Sequence, residues 1–269
     1  MDVSNLNQKR IKEVAESGKR LDGRKLEDYR EIIIETGVSK NAEGSARVKI
    51  GDTEVFVGVK IDVTEPYTDH EDEGTLITTA ELLPLSSSDY EYGPPRIDAI
   101  EVARIVDRGI RESGFIDFKK LCIKKGEKVY GIFLDIYSIN DSGNLIDAAA
   151  LGAVAALKTA KIPKYDEEKE KIIYGELTSK SLPLSKSFPI TITLHKFGES
   201  ILVDPTKEEE ETSDARLSLA LNKEKEIRIR AAQKGKEGSI SIEELEKMIK
   251  LATKKFKELE SIVKKSLKD

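Results

Sequence analysis

The chain has 269 residues, with 45 Lys+Arg against 50 Asp+Glu for a net charge of −5, one cysteine and two histidines. A lone cysteine excludes an internal disulfide and any multi-cysteine metal site, and two histidines exclude a histidine-rich one. The acidic balance excludes nucleic-acid binding by bulk charge, so any such site must be local or shared with a partner.

The N-terminal stretch predicts a short helix over 4–17 that Gly18 closes. It has no apolar signal core, and no run approaches the roughly 20 apolar residues of a membrane span, so the expectation is a soluble, cytoplasmic protein. Arg20-Leu21-Asp22-Gly23-Arg24 is a polar turn leading to Tyr29-Arg30 and a strand from Glu31 to Thr36. Gly44–Ile50 and Thr53–Val63 alternate apolar with other residues across Gly51-Asp52, as a half-buried hairpin does. An acidic loop, Glu65–Gly74, precedes a strand at Thr75–Leu83.

Gly93-Pro94-Pro95 is a rigid turn before a helix over Ile97–Ser113, with Ile100, Ala103, Val106 and Ile110 available for the core. Strand follows at Leu121-Cys122-Ile123 and Val129–Ile139, with Cys122 expected to be buried. Leu145–Ala160 is apolar almost all round and rich in alanine, which predicts a central core helix. Pro163 ends a first half (1–163), and the charged stretch 164–171 reads as a linker into a second (164–269). There, Ile190–Lys196, Ser200–Val203, Ala215–Leu221 and Glu226–Ala231 are strand-like. A capping box, Ser241-Ile242-Glu243-Glu244, opens a last helix with Leu245, Ile249, Ala252, Phe256, Leu259 and Val263 on one face. Strands followed by a long helix, twice, predict an α+β protein of two halves.

Neither a P-loop, a dinucleotide-binding fingerprint nor a nucleophile elbow is present, and no cofactor is expected. Two features carry chemistry. Arg104, Arg108 and Arg111 fall at i, i+4 and i+7 on one helix face, a spacing that suits the phosphates of a single strand. The alternative is a solvated face with Arg104 and Arg108 paired to Glu101, Asp107 or Glu112. Asp204-Pro205, Glu208–Glu211 and Asp214 form the second, readable as acid/base or divalent-metal carboxylates or as a solvated acidic loop. His195 reads as a strand residue and His70 has no visible partner.

The series Arg20-Leu21-Asp22-Gly23-Arg24 with Tyr29-Arg30, Gly44-Ser45-Ala46, Glu81-Leu82-Leu83-Pro84-Leu85, Gly93-Pro94-Pro95, Arg104-Ile105-Val106-Asp107-Arg108, Asp141-Ser142-Gly143-Asn144 and Val203-Asp204-Pro205-Thr206 resembles the RNase PH family. It is most similar to the non-catalytic RNase PH-like subunit of the archaeal exosome. The resemblance implies the RNase PH-like fold, two α+β halves with mixed sheets and packed helices.

Catalytic members of that family phosphorolyse RNA from its 3′ end. The resemblance places their phosphate-binding arginine at Leu145, which cannot hold phosphate. It places their basic residues in Ser88–Tyr92, which here is acidic and aromatic. Asp204 and Glu210 match the acidic positions only in part. The implied role is therefore a non-catalytic ring subunit, paired as a heterodimer with a catalytic RNase PH-like subunit in a trimer of such pairs. RNA-binding cap subunits would sit on one face, and Arg104, Arg108 and Arg111 would touch single-stranded RNA. The alternative is an active phosphate-dependent 3′-to-5′ exoribonuclease using Asp204 and Glu210.

Overall fold

The computed structural model describes residues 5–267. The first helix is α1, Asn5–Glu16; residue 4 of the expected span lies outside the described residues. Strands β1 (Ile32–Thr36), β2 (Gly44–Ile50), β3 (Thr53–Thr64) and β4 (Thr75–Leu82) follow, then α2 (Ile97–Glu112), β5 (Cys122–Lys124), β6 (Lys128–Asn140) and α3 (Leu145–Thr159). The first sheet runs β1-β2-β3-β6-β4, antiparallel except for the β4–β6 pair, with β5 added on β6.

The second half comprises β7 (Lys161–Asp166), β8 (Lys171–Ser181), β9 (Ile190–Phe197), β10 (Ser200–Val203), α4 (Lys207–Thr212), β11 (Ala215–Lys223), β12 (Ile227–Gly235) and α5 (Ile242–Ser266). Its sheet is antiparallel in the order β10-β9-β11-β12, and β7 and β8 form a hairpin of their own.

Between the sheets lies α3. Every residue from Leu145 to Leu157 is buried, and the small side chains let sheet backbone come close. A Cβ on Gly44 would stand 2.3 Å from the Ala156 carbonyl oxygen, so only glycine fits there. One continuous apolar cluster joins β2, β3, β6, α2, α3, β9, β11 and α5.

Four local expectations change. The stretch 164–171 is not a linker but part of the β7–β8 hairpin. Cys122 is only half-buried, because β5 is a three-residue piece on β6. On α5 it is Met248 that is buried, while Leu245, in the first turn, is 38% exposed. Ile100 is 45% exposed, because the buried stripe of α2 runs through Ala99, Val102, Ala103, Ile105, Val106, Gly109 and Ile110.

Candidate nucleic-acid interface

Helix α2 starts after Pro94-Pro95 and ends at Ser113, where Gly114 turns the chain with φ +64°. Its apolar stripe packs on β4 and α3, which leaves Arg104 and Arg108 exposed on the opposite side. Both border a groove of about 460 Å³ between α2 and strands β11 and β12, together with Ile97, Ile100, Glu101 and Gln233. Arg108 approaches Glu112 at 3.7 Å, a loose surface pair.

Arg111 is placed differently. Its Nε and Nη2 hold both oxygens of Asp107 at 3.0 and 2.9 Å, and Nη2 also donates to the Leu76 carbonyl at 2.9 Å. Arg111 thus ties α2 to β4, while Arg104 makes no hydrogen bond or ion pair with any described residue.

On the other side of Glu101 lies a second cavity, of about 540 Å³, bordered by Tyr90, Asp141, Leu145, Lys207, Glu210 and Arg216. Asp141 accepts the Tyr90 hydroxyl at 2.5 Å and the Lys207 ammonium at 2.7 Å. The chain enters α3 through two left-handed residues, Gly143 (φ 88°) and Asn144 (φ 61°). A Cβ on Gly143 would lie 2.5 Å from the Thr206 carbonyl carbon, so glycine is required.

The Asn144 N–H, at the positive end of α3, donates to Glu210 Oε2 at 3.1 Å. A helix N-terminus ordinarily receives an anion, and this one receives the chain's own carboxylate. Withdrawal from solvent and the Asp141 charge push the Glu210 carboxyl up; Lys207 and the Asn144 N–H oppose them. The Leu145 side chain offers this cavity only carbon.

Asp204 lies outside that arrangement. It is fully buried, and its oxygens accept from Arg24 Nη1, the Arg30 backbone N–H, Arg30 Nε, Arg30 Nη2 and Asn144 Nδ2 at 2.7–2.9 Å. A carboxylate offers about four lone-pair positions, so Asp204 has none spare for a proton or a metal. Burial alone would raise its carboxyl pKa, but the hydrogen bonds and charge of Arg30, with the charge of Arg24, hold it below the usual range.

Arg20, also buried, clamps Glu209 and donates to the Val203 and Asp204 carbonyls at 3.1 and 2.8 Å. The Arg20–Arg24 turn therefore fastens the 203–209 segment. The acidic run is not a solvated loop: 207–212 is a helix, capped by Thr206 and Glu209, in which Glu209 and Glu210 are bonded while Glu208 is exposed.

His195 is fully buried in β9, where its Nδ1 lies 2.8 Å from the Ser213 hydroxyl; burial and the nearby Arg216, Lys236 and Arg20 charges push its pKa well down. His70, exposed in the acidic loop, sits 3.2 Å from Glu73. The sequence marks Arg30 only as part of a motif, with no partner, and does not mark Lys207 or Arg216 at all. A basic residue spaced from an acidic one along the chain gives no sign of pairing when the partner lies more than 60 residues away, as in the Lys207–Asp141 pair (66 residues) and the Arg216–Glu101 pair (115).

Two family models match, domain 1 of the 3′ exoribonuclease family over residues 28–163 and domain 2 over residues 187–255. The chain belongs to the RNase PH family. Its relatives include exosome complex component Rrp42 of Methanocella arvoryzae, 46% identical with 94% of each chain covered, and that of Thermococcus gammatolerans, 46% identical with 94% and 92% covered. Among solved structures it is similar to a chain of the Archaeoglobus fulgidus exosome with RNA bound to the active site (37% identity, TM-score 0.83, 94% and 97% covered). A second is a chain of an archaeal exosome core (35%, 0.80, 94% and 96%). The RNase PH-like fold expected from the motif series is the fold observed.

Proposed function

We propose that this chain is a non-catalytic ring subunit of an archaeal exosome. It pairs with a catalytic RNase PH-like subunit, three such pairs close a ring, and RNA-binding cap subunits sit on one face. Its two RNase PH-like halves, 1–163 and 164–269, act in the cytoplasm as scaffold and RNA guide rather than as an enzyme. Arg104 and Arg108 contact single-stranded RNA bound for the partner's site, and Arg111 supports them by fixing α2.

The observation that carries this reading is the state of the Asp141–Glu210 cavity. Its one arginine, Arg216, is paired with Glu101; Leu145 gives it no cation, and the Asn144 N–H is already taken by Glu210. The two lysines that line it are engaged as well, Lys207 with Asp141 and Lys236 with the Glu211 carbonyl, so attacking phosphate would meet the Asp141 and Glu210 carboxylates with no free cation beside them. The likeness to exosome chains at 35–37% identity supports the assembly.

The test is phosphorolysis of single-stranded RNA with inorganic phosphate, run on the chain alone and with a co-expressed catalytic RNase PH-like subunit. The expected outcome is nucleoside diphosphate from the pair only. Diphosphate released by the chain alone would overturn the reading in favour of an active exoribonuclease.

A further inference from the structure

Helical spacing offers Arg104 two carboxylates, Glu101 three residues before it and Asp107 three after. Both are occupied elsewhere. Asp107 is held by Arg111, and its Oδ1 also accepts the Thr78 hydroxyl at 3.2 Å. Glu101 is held by Arg216, which reaches it from β11, 115 positions away in sequence.

Side-chain exposures are 11% for Arg216 and 31% for Glu101, so the pair is shielded more than a surface ion pair. Space for the guanidinium comes from Gly235, the residue in register with Arg216 on β12: a Cβ there would stand 2.5 Å from Arg216 Nη2. Glu101 also forms part of the wall between the Arg104 groove and the Asp141–Glu210 cavity.

We propose that Arg216 is a positioning residue for RNA binding: by holding Glu101, it keeps that carboxylate off Arg104 and leaves the Arg104 guanidinium available for a phosphate. This rests on the reading of Arg104 as an RNA contact. Without the clamp, Glu101 swings one helical turn along α2 and competes with the phosphate for Arg104. An arginine already paired to a carboxylate gives up part of its charge-assisted contact and releases fewer counterions on binding RNA.

The experiment uses the assembled ring with its catalytic partner and measures single-stranded RNA binding across a salt series. Arg216→Gln removes the clamp. Gly235→Ala keeps every charge and pushes the guanidinium aside, so it stands in if Arg216→Gln fails to assemble. Each is expected to weaken RNA binding about three- to tenfold and to flatten the salt dependence. Arg216→Lys, which still pairs with Glu101, should retain most of the affinity.

Adding Glu101→Gln to either clamp variant should restore binding, because the competing charge is gone. A loss that comes only from disturbed folding would not be rescued in this way. Arg104→Gln is the control. If it binds RNA like the parent, the reading of Arg104 falls and this inference with it. If Arg104→Gln weakens binding while Arg216→Gln or Gly235→Ala leaves affinity and salt slope unchanged, or if Glu101→Gln fails to rescue them, the inference about Arg216 alone is overturned.

Discussion

Arg30 grips Asp204 through three hydrogen bonds, its backbone N–H and Nε on Oδ2 at 2.7 and 2.9 Å and its Nη2 on Oδ1 at 2.7 Å. The same guanidinium holds the Ser142 and Gly143 carbonyls at 2.9 and 3.0 Å, so one side chain joins the turn before α3 to the turn before α4. Asp204 itself has φ 49°, a left-handed conformation unusual for a non-glycine residue, which these bonds maintain.

Asp204→Ala should therefore act on stability. It strands Arg24 and Arg30 around an empty position, and breaking a buried pair from one side costs about 3–5 kcal/mol. Because the folded carboxyl pKa is depressed, the pair's contribution is present above the unfolded value and lost as pH falls through the folded one. Urea unfolding at pH 7 and in acid checks both statements. A variant as stable as the parent at pH 7, with that same acid sensitivity, would contradict them.

Restoring an arginine at position 145 should not by itself restore phosphate chemistry. Glu210 occupies the Asn144 N–H at 3.1 Å, and Asp141 lies on the same cavity wall. An arginine introduced there would meet two carboxylates before it met phosphate. Leu145→Arg alone is expected to release no nucleoside diphosphate, and its melting temperature should shift no more in phosphate than in chloride of equal ionic strength. Phosphate-specific stabilisation of this variant would show that Glu210 does not close the position.

The β2–β3 hairpin, the core helix and the capping box of α5 were legible in the sequence, since each is a local pattern: alternation in β2 and β3, unbroken small apolar residues in α3, Ser241 with Glu244. The surroundings of Asp204 were not. Five donors meet it from Arg24, Arg30 and Asn144, at separations from 60 to 180 residues, and nothing in Asp204-Pro205 marks the carboxylate as buried. The same holds for α2. Its arginines are visible by spacing, but that Glu101 is held by Arg216, from β11 in the second sheet, is not.

Asp147 is fully buried in α3, accepting the Tyr29 hydroxyl at 2.9 Å and the Thr193 N–H at 3.2 Å through one oxygen. Burial lifts its carboxyl pKa to about 7, against the opposing hydrogen bonds from Thr193 and Tyr29. The folded state then keeps a proton that the unfolded chain has lost, so stability falls as pH rises from the unfolded value near 3.8 to about 7 and is level beyond. Asp147→Asn removes this slope. Relative to the parent it should gain a few kcal/mol between pH 4 and pH 8, at about 1.4 per pKa unit. Parallel denaturation midpoints for parent and variant across that range would refute the assignment.

The three arginines of α2 should separate by what they are bonded to. Arg104→Glu and Arg108→Glu place negative charge on the groove, so each should weaken RNA binding by the ring and lower the salt slope by about 0.7 for each phosphate it no longer neutralises. Assembly and melting temperature should stay near the parent, because neither arginine supports the fold beyond the 3.7 Å approach of Arg108 to Glu112. Arg111→Gln should do the reverse. It breaks the two-point pair with Asp107 and the bond to the Leu76 carbonyl, at a cost of about 1 kcal/mol, and should lower the melting temperature while the salt slope stays put. Measuring slope and melting temperature on all three variants decides the matter: a normal slope in both Arg104→Glu and Arg108→Glu would remove α2 from the RNA path, and a flattened slope in Arg111→Gln would make Arg111 touch RNA directly.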